Sequence, residues 1–163
     1  MRFNWVDLTT IGVVATGAAI QFLRATRDFS LILYETIFFI GALVAAVRLL
    51  IPLHELTALP EAVVFISVFV ILAVLALLIA SGLNQVFEFG FGLFNHFLGL
   101  ILGIACGIIF GHALLRTLVI GYRVSRPELV EVISRSWMAS QVLYFGAFRE
   151  LLGILRIARY NNI

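Results

Sequence analysis

Lysine is absent from this chain: all eleven of its basic residues are arginine. Arginine keeps its charge in a poor solvent and forks onto phosphates and carboxylates, which suits a lipid interface, although the codon bias of a GC-rich genome gives the same result. Charge of either sign is scarce. Of the 163 residues 12% are charged and 63% hydrophobic, against about 25% and 45–50% in soluble domains, and this excludes a water-soluble fold. A net charge of +2 is too small to point to a nucleic-acid partner. One cysteine, Cys106, excludes an intrachain disulfide; flanked by apolar residues, it reads as a small buried hydrophobe.

Catalytic and metal signatures are missing too. The chain has no GxSxG elbow, no GxxxxGK[ST] phosphate loop and no HExxH pair. Ser67 and Ser81 lie in or near an apolar stretch without a base or oxyanion motif beside them, and a serine in a membrane helix usually bonds the carbonyl one turn back. His96 and His112 stand sixteen residues apart, about 24 Å along a helix at 1.5 Å per residue, so they cannot share a metal ion within that helix. His54 belongs to another connection. The expectation is therefore no enzyme, no metal and no cofactor.

What is present is a run of long apolar segments, one of them laddered with glycine. Gly99, Gly103, Gly107 and Gly111 recur every fourth residue in GLILGIACGIIFG. Such a stripe lets a neighbouring helix, from this chain or another protomer, approach closely and gain dispersion contacts in lipid. A spanning helix needs about 20 mostly apolar residues, and four segments meet that length: Trp5 to Leu23, Phe29 to Ile51, Val63 to Leu83 and Phe94 to Val119. Pro52 should end the second, because proline supplies no helical N–H. The N-terminus carries one arginine and an aspartate, which suits an uncleaved first span better than a signal peptide.

Beyond Tyr122 the pattern changes. Ser125 to Glu128 reads as a capping box, and Leu129, Val130, Ile133 and Trp137 then recur at helical spacing, with Glu128, Glu131, Ser134 and Arg135 on the other side. This is an amphipathic helix suited to lie in the membrane surface. A fifth span from Trp137 to Ile157 is the alternative, but it places Arg149 and Glu150 near its middle, and buried charges cost about 2.5–3.5 kcal/mol each. The expected architecture is all-α: an integral membrane four-helix bundle over residues 1–122, followed by an amphipathic interfacial helical region over 123–163. Arg2, Arg48, Arg116, Arg123, Arg126 and Arg135 fall on the side of the termini and Arg24 and Arg27 on the other, so the positive-inside rule puts both termini in the cytoplasm.

Ionisable and polar residues at membrane depth are the candidate functional residues: Asp7, Glu35, Arg48, Asn95 and His112. If the first two spans form an antiparallel hairpin turning near Arg27, Asp7 comes level with Arg48, while Glu35 comes level with Ile20 or Gln21, within reach of a snorkelling Arg24. Those pairs would fix the hairpin register; a proton or ion path through Glu35 is the alternative.

Two segments carry a family likeness. The opening Phe3-Asn4-Trp5-Val6-Asp7-Leu8 and the stretch from Gly92 to Gly103, GLFNHFLGLILG, resemble the colicin V production protein (CvpA) family of small bacterial inner-membrane proteins. That family commonly has aspartate where this chain has Asn95. The resemblance covers about residues 3–145 and implies a four-span membrane protein linked to colicin V production or export and to envelope integrity, with no reaction attached. The expected role is a non-enzymatic subunit or scaffold of a membrane assembly, with membrane lipids and other subunits or a second protomer as partners. Arg123, Arg126, Arg135, Arg149, Arg156 and Arg159 would meet anionic headgroups or a partner's acidic surface, at about 1 kcal/mol each near anionic lipid. An oligomeric channel or pore using Glu35 is the alternative.

Overall fold

The computed structural model describes residues 3–25 and 28–145. Arg2, Arg27, Arg149, Arg156, Arg159 and most of the alternative fifth span lie outside these residues. Six α-helices follow one another among the described residues: α1 (Trp5–Arg24), α2 (Phe29–Thr57), α3 (Glu61–Val86), α4 (Asn95–Tyr122), α5 (Pro127–Arg135) and α6 (Trp137–Tyr144), with a 3-10 turn at Gly92–Phe94. No strand occurs among the described residues. The protein is all-α, and the four long helices are each apolar and long enough to cross a membrane.

Two boundaries depart from expectation. Helix α2 does not stop at Pro52 but runs to Thr57. Proline inside a helix removes its own bond to the Arg48 carbonyl and crowds that carbonyl, which can kink a helix without ending it. The helix closes instead where Ala58 adopts a left-handed conformation (φ 54°) and donates its N–H to the His54 carbonyl at 2.9 Å. The capping box at Ser125 does not form either. Pro127 takes the first helical position, and Arg126 before it lies outside the helical region (φ −145°, ψ 70°) at the cap position, without a side-chain cap bond. A residue preceding proline is pushed out of the helical region, which moves the start one residue on and leaves Glu128 too early to reach back.

The pairing of helices also differs from a first hairpin. α1 lies mainly on α4 and α2 mainly on α3, α4 also touches α2 and α3, and α1 scarcely meets α2. Glycine explains the preference. A Cβ on Gly107 would sit 2.6 Å from Val14 Cα, one on Gly103 would sit 2.7 Å from Ala18 Cα, and one on Gly99 would collide with Ala25 Cβ. Only bare backbone permits so close an approach. Gly17 answers from the other side, where a Cβ would come within 2.8 Å of Gly107 Cα. The ladder is therefore filled by this chain's own first helix. Gly111 is the exception: a Cβ there would stand 3.5 Å from Val142 Cγ1 and 3.9 Å from Val13 Cγ1.

The main core lies among α2, α3 and α4, around Phe39, Leu43, Val64, Phe65, Phe69, Ile109 and Ala113. There the Phe110 ring meets Phe39 and Phe69 edge-on at 5.1 and 5.6 Å. A second cluster of Val6, Leu115, Ile133, Ala139 and Val142 seats α5 and α6 against α1 and α4. The amphipathic region is thus docked on the bundle by its apolar side.

Candidate functional site

Two buried polar nodes occupy opposite ends of the bundle. The first joins α1, α2 and α4. The last turn of α1 places Gln21 and Arg24, three residues apart, on one face. The Arg24 guanidinium forks onto Glu35 of α2, with Nη1 2.8 Å from Oε2 and Nη2 2.7 Å from Oε1. Gln21 accepts from Arg24 at 3.1 Å, donates to Glu35 Oε2 at 3.2 Å and reaches Cys106 Sγ of α4 at 3.8 Å. Thr36 Oγ1 lies 3.2 Å from the same sulfur. The Glu35 side chain is 4% exposed and that of Arg24 38% exposed. A carboxylate buried so completely requires a cation and hydrogen bonds to offset its desolvation, and here both oxygens have them. The register count that set Glu35 beside Gln21 and Arg24 holds at this end, where the α1–α2 connection is shortest.

The second node is built on Asp7. Asn4 caps α1, its side chain accepting from the Val6 and Asp7 N–H groups at 2.9 and 3.3 Å, and Asp7 Oδ2 accepts from the Asn4 N–H at 2.8 Å. This reciprocal box satisfies donors that the first turn would otherwise orphan. The other carboxylate oxygen serves a second helix. Asp7 Oδ1 accepts from Ser136 Oγ at 2.5 Å and from the Met138 N–H at 2.6 Å. Ser136 is itself the cap of α6, accepting from the Ala139 N–H at 3.2 Å. One fully buried carboxylate therefore lies at the N-termini of two helices, where the macrodipoles favour negative charge.

Asp7 does not pair with Arg48. The two helices that would bring them level scarcely meet, and Asp7 is bonded to Ser136 and Met138 while Arg48 is exposed. His112 lies on the same side of the molecule as Asp7: its Nδ1 donates to the Val142 carbonyl at 3.0 Å and its ring stacks on Phe145 at 4.9 Å. Asn95 has a local task, its side-chain oxygen accepting from the Phe91 N–H at 2.7 Å. Arg123 and Arg126 are exposed, and Arg135 is exposed and paired with Glu131 one turn back at 2.5 Å.

Sequence reasoning passed over Asn4, Thr36 and Ser136. Asn4-x-x-Asp7 before an apolar run was a readable helix start, and Ser136 stands between two apolar-periodic stretches as a cap would. Thr36 gave no signal. No cluster of three or more His, Cys, Asp or Glu at metal-binding spacing occurs among the described residues. What the bonds of these two nodes do in the fold is neutralise a buried charge and cap two helices. No family model, no curated protein and no solved structure matches this chain.

Proposed function

We propose that this protein is a non-enzymatic subunit or scaffold of a bacterial inner-membrane assembly, of the CvpA-like kind that its opening residues and the start of its fourth span resemble, with both termini in the cytoplasm. On that reading its process is toxin production or export and maintenance of the envelope.

The observation that carries the reading is a surface left over once the glycine ladder is filled. Thr9, Gly12, Val13, Thr16 and Gly17 of α1, with Gly107 and Phe110 of α4, line an open groove. A Cβ on Gly12 would meet nothing within 4 Å, so a further helix has room to approach the α1 backbone there. Small residues facing lipid are the usual seat of helix association. The alternative transport reading asks more of Glu35, whose two oxygens are already bonded to Arg24 and Gln21.

The test is extraction of the tagged protein from its native membrane in mild detergent, with the mass and composition of the product measured. A defined complex is expected, and Gly12→Leu should release the companions while leaving the helical content unchanged. A lone monomer from the native membrane would overturn the proposal. A pure homo-oligomer in which Glu35→Gln abolishes ion flux would transfer support to the pore.

A further inference from the structure

The connection between α3 and α4 is built from aromatic rings. Positions 87 to 97 hold Phe87, Phe89, Phe91, Phe94 and Phe97, five of the fifteen phenylalanines in the chain, together with Leu93 and the acidic Glu88. Connections that run through water favour Gly, Pro, Asn, Asp and Ser, and two glycines are all this one takes from that set before Asn95.

Part of the loop is folded down onto α2. The Phe29 ring meets Phe89 at 6.2 Å and Phe91 at 5.4 Å, and Tyr34 meets Phe89 at 6.1 Å, all edge-on. The Tyr34 hydroxyl donates to the Phe87 carbonyl at 3.0 Å, and Asn95 holds the Phe91 N–H. Fixed in this way, the loop presents its remaining apolar side chains outward. Leu93 is 94% exposed, and Phe87, Phe94 and Phe97 are each more than half exposed.

Height along the bundle decides what those side chains meet. α1 has 20 residues, about 30 Å at 1.5 Å per residue, which equals the hydrocarbon thickness of a bilayer. Gly99 packs on Ala25, immediately past the end of α1. Asn95, the first residue of α4, stands four residues before Gly99, about 6 Å further out. The headgroup layer is about 5–7 Å deep on each side, so the loop falls inside it. Its exposed rings are continuous with exposed Val86 on α3 and Ile101 on α4, both on helices that can span the membrane.

We propose that residues 87–97 form an interfacial wedge, its backbone in the headgroup layer and its Leu93, Phe94 and Phe97 side chains reaching down toward the acyl chains. Attachment rests on apolar area, because no arginine in the segment draws it to anionic lipid. The occupant is therefore the bilayer itself, zwitterionic lipid included.

The experiment uses the full chain in phosphatidylcholine vesicles, carrying Leu93→Trp with Trp5→Phe and Trp137→Phe to remove the two native indoles. Emission should be blue-shifted and quenched several-fold more by lipid brominated near the head of the acyl chain than by lipid brominated near its end or by aqueous iodide. Phe94→Trp in the same background gives a second reading if the first variant fails to insert. Red-shifted emission quenched by iodide would place the loop in water and overturn the proposal. Protection from both iodide and brominated lipid would mean that a second copy covers the loop, and would overturn it equally.

Discussion

The hydroxyl of Ser136 donates to the carboxylate of Asp7 at 2.5 Å, across 129 positions of sequence. Through this bond the start of α6 is tied to the start of α1. Ser136→Ala removes one partner from a buried carboxylate and also the cap of α6, so a loss of about 1–3 kcal/mol is expected. Thermal unfolding in detergent should show it. Asp7→Ala combined with Ser136→Ala should cost less than the two single losses added together, because the residues share one network. Strict additivity would show that the bond does not couple the helices. Limited trypsin digestion supplies an independent reading: cleavage after Arg135 should accelerate in both single variants as α6 comes away.

The Arg24–Glu35 pair is asymmetric, and the asymmetry can be measured. Glu35 is almost wholly buried, whereas Arg24 keeps more than a third of its side chain exposed. Arg24→Gln strands a carboxylate in the interior, a change that costs about 3–5 kcal/mol where the stranded charge is fully buried. Glu35→Gln leaves an arginine able to turn toward the headgroups, so the cost is that of charge-assisted hydrogen bonds, about 1.5–3 kcal/mol, reduced by the exposure of Arg24. Arg24→Gln should therefore lower the melting temperature more than Glu35→Gln. Adding Glu35→Gln to Arg24→Gln should restore part of the loss. Equal effects of the two single changes would mean that Glu35 is not desolvated.

The glycine ladder predicts opposite signs at neighbouring rungs. Gly107→Ala drives a methyl into the Val14 backbone, at 2.6 Å from Cα and 2.7 Å from the carbonyl oxygen. Backbone cannot rotate away, and overpacking of this kind costs about 1–3 kcal/mol. Gly111→Ala meets only Val142 and Val13 methyls at ordinary contact distance. It should be neutral or should stabilise by about 0.5–1 kcal/mol through the lower chain entropy of alanine. Thermal denaturation of the two variants side by side checks the register of α4 on α1: if Gly111→Ala were the more damaging, the helices would have to pack one turn away.

Most of the fold was legible because lipid leaves few options. Long apolar runs in a chain so poor in charge read as helices able to span a membrane, and the starts of all four fell within two residues of the observed ones. The end of α2 was not legible, because a proline inside a helix can kink it as readily as end it, and here the helix continues to Thr57. Partner choice among the helices was not legible. The glycine period marked α4 as the gripped helix, but nothing in the period says whether α1, α2 or another chain grips it. That depended on Ala18, Gly17 and Val14 on α1 falling opposite the rungs. Asp7 stood out as a charge at membrane depth, yet its partner lay 129 residues away and was a serine, which hydropathy does not flag.

Cys106 offers a built-in probe of the α1–α4 contact. It is the sole cysteine of the chain, it is buried, and its sulfur lies between Thr36 of α2 and Gln21 of α1. A maleimide can reach the thiol only if α1 or α2 moves off α4. Labelling of the intact protein should therefore be slow, set by the population of an opened state, and far below the rate in denaturant. Gly103→Leu places a bulky side chain against Ala18 Cα and Gln21 Cβ, so it should accelerate labelling by orders of magnitude. Gly12→Leu, on the open groove, should leave the rate unchanged. The comparison separates the internal role of the ladder from the proposed assembly role of the groove. Rapid labelling of the unmodified protein, unchanged by Gly103→Leu, would mean that α1 does not cover the ladder in the membrane, which would return the ladder to the service of a partner.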